Sequence, residues 1–297
     1  MRYQQRKIIG DIMKIGVFSI LPDMASDPAV VAQRAEELGF ESYWVPDHTI
    51  LPVTYSERYV GAKPNEPDPD YLDKMPDPLM MLMRAAAVTE KIKLGTGIIL
   101  VPERNPLLMA KLVATLDHAS QGRYLMGIGA GWNREECEIL GGDFDHRWGQ
   151  TKDYILAMKQ LWMEDKSEYH GKYVDFPPVK CFPKPFNKPH PPILLGGFTA
   201  ERVYQRIAEW GDGWLPVVPS IEHFSNGVEK LKRAADRAGR DYGELNKTVF
   251  GGEGQWRKPE EIRELEAAGA DRVVLWLPEG PLDALITEME LIARELL

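Results

Sequence analysis

Apolar positions along this chain fall into a repeating order, a helical stripe followed by a short unbroken run. Asp27 is a natural N-cap, Pro28 suits a first helical turn, and Val31, Ala35 and Leu38 share one face of the helix that follows. Gly39 permits a left-handed stop, after which Tyr43-Trp44-Val45-Pro46 reads as a strand. The same junction returns at Trp210-Gly211-Asp212-Gly213-Trp214-Leu215-Pro216, and again where Ala268-Gly269-Ala270-Asp271 leads into Arg272-Val273-Val274-Leu275-Trp276. Three copies of one junction imply a repeated alternation of helix and strand.

Unbroken apolar runs predict strands near 14–18, 43–46, 93–100, 124–128, 193–196, 213–217, 247–252 and 272–277, as a parallel sheet buried on both faces requires. Helices are predicted near 28–38, 78–90, 106–119, 147–164, 200–210, 221–238, 259–268 and 281–296. Their starts are marked by Asn105-Pro106, Thr199, Ser220, Lys258-Pro259 and Gly280-Pro281. Eight strands with interleaved helices favour a closed (β/α)8 TIM barrel over an open doubly wound sheet.

Two stretches exceed ordinary connections. Residues 50–78, after the second strand, are rich in Pro, Asp and Tyr. Residues 166–192, before the fifth, hold seven prolines, which excludes a continuous helix or a central strand there but leaves room for a short hairpin over 168–174. Long excursions of this kind serve as lids or substrate walls, and the second fits a packing or subunit-contact role equally well.

Composition narrows the class. At 297 residues one barrel domain over 13–297 is preferred to two, with Met1 to Ile12 read as an extension outside it. A net charge of -9 argues against a general nucleic-acid binder or a binder of acidic membranes. The first twelve residues lack the apolar run of a secretory signal, and no stretch approaches the ~20 apolar residues of a membrane span. Cys137 and Cys181 form no metal or disulfide pattern, and the histidines show no ligand spacing, so a reduced cytoplasmic setting without a metal is expected.

Reactive groups of such a barrel gather at the carboxyl ends of its strands. Asp47-His48 follows the second strand directly, and a histidine beside a carboxylate can move a proton near neutral pH, although the pair alone suits a capping role better. Glycines inside Leu94-Gly95-Thr96-Gly97-Ile98 mark either a bulge near a ligand or a barrel too narrow for side chains. Gly127-Ile128-Gly129-Ala130-Gly131-Trp132-Asn133 misses the dinucleotide-binding spacing by one position, yet its backbone N–H groups can cradle a phosphate or a ring carbonyl as readily as form a plain turn. Leu195-Gly196-Gly197-Phe198-Thr199 opens a helix at Ala200. It is the best phosphate site that physics alone picks out, set against a simple Thr199 cap.

Taken in order, these motifs resemble the luciferase-like monooxygenase superfamily, and within it the branch of F420-dependent (deazaflavin) oxidoreductases. The resemblance runs from Met13-Lys14-Ile15-Gly16-Val17-Phe18 through Trp44-Val45-Pro46-Asp47-His48, Leu94 to Ile98 and Gly127 to Glu136. It continues through His170-Gly171-Lys172-Tyr173, Phe182-Pro183-Lys184-Pro185, Leu195-Gly196-Gly197 and Gly211-Asp212-Gly213-Trp214. It implies an oxidoreductase, commonly a homodimer, that holds the deazaflavin in the barrel mouth and passes a hydride between coenzyme F420 and a small organic substrate. It further implies a non-proline cis peptide at Gly97-Ile98, with Ile98 behind one ring face. His48 becomes the acid/base, Asp47 its neighbour at the cofactor, and Ala130-Gly131 and Gly196-Gly197 the cofactor-binding turns. Trp132 stands where some deazaflavin dehydrogenases carry a catalytic Glu, which speaks against sugar-phosphate dehydrogenation. The rivals are an FMN-dependent two-component monooxygenase of the same fold, a non-catalytic cofactor-binding protein, and a metal-dependent barrel using Asp47, His48, Glu103 and Glu253.

Overall fold

The computed structural model describes residues 13–59, 61–62, 65–197 and 200–297. The amino-terminal extension and the Thr199 cap therefore lie outside the described residues. In chain order the elements are β1 (Lys14–Phe18), α1 (Pro28–Leu38), β2 (Ser42–Val45), α2 (Pro78–Ala86), β3 (Lys93–Thr96), β4 (Ile99–Leu100), α3 (Pro106–Ala119), β5 (Tyr124–Gly129), α4 (Arg134–Ile139), α5 (Arg147–Met163), β6 (Ser167–His170), β7 (Asp175–Val179), β8 (Ile193–Gly196), α6 (Glu201–Trp210), β9 (Gly213–Leu215), α7 (Ile221–Ala238), β10 (Asn246–Phe250), α8 (Pro259–Ala267), β11 (Arg272–Trp276) and α9 (Leu282–Leu296). Strands β2, β1, β11, β10, β9, β8 and β5 run parallel in that spatial order, and β3 with β4 closes the ring between β2 and β5. The result is the closed eight-stranded (β/α)8 barrel that the sequence predicts.

Local chemistry explains most boundaries. Asp27 accepts from the Ala29 N–H at 2.9 Å to start α1, and Gly39 ends it in the left-handed region at φ 94°. Asn105 caps α3 through the N–H groups of Leu107 and Leu108. Helix α2 stops at Ala86, short of the expected 90, because Thr89 Oγ1 bonds back to the Ala85 carbonyl and the buried Arg123 takes the carbonyls of Ala86 and Thr89. Strand β9 ends at Leu215, short of 217, since Pro216 has no N–H to offer a neighbouring strand.

The expected strand 93–100 is split. Gly97-Ile98 is a non-proline cis peptide between β3 and β4. From Leu94 to Ile99 the chain advances five positions, while its partner advances four from Tyr124 to Ile128, so one extra residue bulges at the strand's upper end. The tight-barrel reading holds lower down, where a side chain on Gly95 would overlap the Trp44 ring.

Alternate strand residues feed two cores. Ile15, Val17, Val273 and Leu275 pack outward under the helices. Phe18, Trp44, Leu125, Leu194, Leu215, Phe250 and Val274 fill the barrel interior. At its amino-terminal end the buried Arg272 donates from Nε and Nη2 to Glu41, at 2.6 Å each, and from Nη1 to Thr248 at 3.0 Å.

The two excursions diverge. Within 50–78, Leu51, Tyr59, Tyr71, Leu72 and Met75 pack onto the interior cluster, so this segment covers the barrel mouth. The second forms the hairpin β6–β7, longer than expected. Pro177 and Pro178 are tolerated in it because a two-stranded sheet leaves every strand an edge. Its anchors run along the outside, from Tyr169 and Tyr173 to Asp153 of α5 and from Asn187 to Asp117 of α3. Of the two roles open to it, this is the packing one. No helix among the described residues is long and apolar enough to cross a membrane.

Candidate active site

The sequence-predicted residues come together. Asp47 and His48 follow β2, Gly97 and Ile98 sit between β3 and β4, Ala130 and Gly131 follow β5, and Gly196 and Gly197 lie at the end of β8. These strands are consecutive neighbours, so the residues form one continuous arc of the rim. The facing arc is aromatic: Phe18 meets Phe250 at 4.9 Å and Trp276 at 5.1 Å between ring centroids, and Tyr71 of the covering segment meets Trp276 at 6.2 Å. Ile98 is braced where Gly129 and Gly196 lack side chains, since a Cβ at either position would strike it. Gly97, Ile98 and Gly197 are only half-buried and so remain within reach of the mouth.

Asp47 faces inward. Its carboxylate accepts from the Leu100 N–H at 2.9 Å and from Arg104 at 2.7 and 3.2 Å. Burial raises its pKa against the pull of Arg104. These bonds tie the end of β2 to β4 and to Arg104, bracing the third-strand bulge.

His48 is held at both ring nitrogens. Nδ1 lies 2.6 Å from Glu136 Oε2, and Nε2 lies 3.1 Å from Trp132 Nε1. An indole nitrogen only donates, so Nε2 is the acceptor and the proton sits on Nδ1, directed at Glu136. Glu136 belongs to α4, a six-residue helix that the sequence reading missed; it is capped by Asn133, whose side chain accepts from the Glu136 N–H at 2.9 Å. Glu136 also receives the Thr49 N–H at 3.1 Å, while Glu135 receives that of Ser56 at 2.9 Å. The two carboxylates thereby pin the start of the covering segment. Trp132 is ringed by His48, Tyr55 and Tyr59 at 5.5 to 5.8 Å.

Glu103, considered from sequence only as a metal ligand, is buried with neither oxygen receiving a hydrogen bond. Burial, then the charges of Glu136 and Asp47, push its carboxyl up to about 9 against Arg104. It lies under Gly131, where a Cβ would come within 2.8 Å of Oε1. Among the described residues, no three or more His, Cys, Asp or Glu side chains are grouped to hold a metal ion.

Three further residues escaped the sequence reading. Arg147, at the start of α5, donates to the Gly131 carbonyl at 3.1 Å. Arg202 lies in the first turn of α6, and Arg206, one turn on, lies 4.5 Å over the Trp148 ring. Burial, then the charges of Arg202 and Arg147, draw the Arg206 guanidinium below its ordinary value against the pull of Glu209. None has an ion-pair partner among the described residues, whereas Arg104 is paired with Asp47 and Asp77, and Arg134 with Glu138 and Asp145. Among the described residues, no side chain caps the amino end of α6. Positive charge thus gathers near Gly131 and the amino end of α6, whose Val203 packs under Gly197.

Residues 24–280 match the family described as luciferase-like monooxygenase. The chain belongs to that family. Its luciferase-like relatives include the uncharacterized protein Rv0953c of Mycobacterium tuberculosis, 35% identical over 230 residues that cover 77% of this chain and 80% of the relative. An FMNH(2)-dependent dimethylsulfone monooxygenase of Pseudomonas putida is 28% identical over 69% of this chain and 50% of its own. The coenzyme F420-dependent tetrahydromethanopterin reductase of Methanopyrus kandleri superposes with a TM-score of 0.72 over 96% of this chain and 98% of that one, at 20% identity. Members of this luciferase-like family are oxidoreductases and monooxygenases that work with F420 or FMN.

Proposed function

We propose that the chain is an F420-dependent oxidoreductase that moves a hydride between the deazaflavin and a small organic substrate at the barrel mouth. The observation that carries this reading is the group Arg147, Arg202 and Arg206 near Gly131 and the amino end of α6, none of them in an ion pair among the described residues. F420 ends in a phosphodiester followed by carboxylates, an extended polyanion, whereas FMN ends in one phosphate. A field of three arginines suits the longer anion. The rim also fits a flat ring, having a glycine-lined arc on one side and an aromatic arc on the other.

When bound, the deazaflavin supplies the hydride chemistry. The chain's own residues do the rest. Ile98, braced over Gly129 and Gly196, supports one side of the mouth, and the segment carrying Tyr59 and Tyr71 keeps water out. His48 takes or gives a proton at Nε2 once Trp132 releases it, with Glu136 fixing the ring. Cys137 and Cys181, both free and buried, agree with a reducing compartment. The same reading includes a homodimer.

Fluorescence titration of the purified protein with F420 and with FMN tests the assignment. F420 is expected to bind more tightly, and the double variant R202A/R206A to weaken F420 by roughly 100-fold with a shallower salt dependence. Tighter binding of FMN would favour the monooxygenase reading suggested by the Pseudomonas relative. Binding of neither would end both.

A further inference from the structure

Trp132 meets the acid–base group of the barrel on one side and its roof on the other. The indole Nε1 donates to His48 Nε2 at 3.1 Å, while the ring packs against Tyr55 at 5.8 Å and Tyr59 at 5.5 Å between centroids. Those two tyrosines form one unit of the covering segment, because Asp68 accepts from the Tyr55 hydroxyl at 2.8 Å and from the Tyr59 N–H at 3.2 Å. A further tie runs from the Ser56 N–H to Glu135 of α4 at 2.9 Å.

The bond to His48 exists in one protonation state alone. An indole N–H can only donate, so it needs the lone pair of Nε2. A proton on Nε2 sets two N–H donors against each other at 3.1 Å, and the indole has to move off. The other side of the imidazole keeps its partner. Nδ1–H donates to Glu136 at 2.6 Å whether the ring is neutral or charged, and Glu136 holds the Thr49 N–H at 3.1 Å throughout. The charged groups facing the ring are Glu136 from α4 and Asp47, which precedes it in the chain and is itself paired with Arg104. Among the described residues no charged group bonds Nε2, so the change falls on Trp132 and through it on the roof.

We propose that Trp132 is a proton-sensitive latch. Neutral His48 holds the indole against Tyr55 and Tyr59 and keeps the mouth roofed, and protonation at Nε2 frees the indole and loosens the roof. One proton is gained at Nε2, one hydrogen bond is lost, and no covalent bond of the indole changes. Trp132 is thus a positioning residue that acts through His48. In turnover, which rests on the hydride transfer proposed above, the proton that readies His48 as an acid also loosens the way in, and giving that proton up restores the latch.

The latch is read on the protein without added cofactor, so a failure of the F420 assignment would leave the result standing. As pH falls through the His48 titration, followed by the nitrogen-15 shifts of its ring, the Trp132 indole N–H should shift with the same midpoint. Over that range the Ser56 amide should exchange with solvent about tenfold faster than the intrinsic pH dependence accounts for. The Thr49 amide, held by Glu136 in both states, should keep its protection. The Ser56 response should vanish in Trp132→Phe, which keeps an aromatic ring but has no N–H to donate, and in His48→Gln, which cannot be charged. Either variant serves if the other does not fold. An indole signal that does not follow His48 would overturn the latch. So would a Ser56 response that survives in a folded variant, since it would belong to the carboxylates, or an equal loss at Thr49, since α4 itself would then be coming away.

Discussion

The two ends of this barrel use similar residues to opposite effect. At the amino-terminal end, burial pushes Glu41 up, yet the hydrogen bonds and charge of Arg272 outweigh it and hold the carboxyl below its ordinary value. Arg272 and Arg123 have their donors satisfied there by Glu41, Thr248 and a ring of carbonyls. At the rim, Asp47 and Glu103 are raised, Glu103 has no donor, and three arginines have no ion-pair partner among the described residues. Paired charge closes one end as structure. Unpaired charge at the other remains available to a ligand or a proton.

The contrast breaks first at the closed end. Arg272→Met leaves Glu41 without its partner and is expected to cost about 4 kcal/mol in denaturant unfolding, most of it regained on adding Glu41→Leu. A smaller effect with opposite sign belongs to the rim. Glu103 has a folded pKa above its unfolded one, so its contribution is full below the unfolded value near 4.5 and is lost as pH rises toward about 9. Glu103→Gln removes that slope. Relative to wild type it should gain on the order of 3 kcal/mol between about pH 5 and pH 8, followed by thermal unfolding across that range. A parallel pH dependence in the two proteins would show that Glu103 is ionised after all. The smallest effect is expected from Trp132→Phe. Loss of one donor to His48 Nε2 should cost about 1 kcal/mol and shift the imidazole tautomers about fivefold toward Nε2–H, read from nitrogen-15 shifts.

The barrel was legible because its signals are local. Glycine stops and unbroken apolar runs lie within a few residues of what they terminate or form, so every barrel strand fell close to its expected place. The rim was legible in part. Strand-end motifs located His48 and the glycine turns, and the resemblance to luciferase-like enzymes located the Gly97-Ile98 peptide. The partner of Asp47 was not legible, because Arg104 lies 57 positions away. Nor was the arginine group, whose members reach one spot from two separate helices. Helix α4 escaped because six residues hold too little periodicity to register, and the course of 166–192 because prolines say what a segment is not rather than where it packs.

Helix α4 also ties together two things an engineer would want to vary separately. Glu136 orients the imidazole and, with neighbouring Glu135, fastens the segment roofing the barrel mouth. Grafting a new roof to change which molecules enter would therefore disturb the acid–base group beneath it, unless both carboxylates were kept and the graft began beyond Ser56.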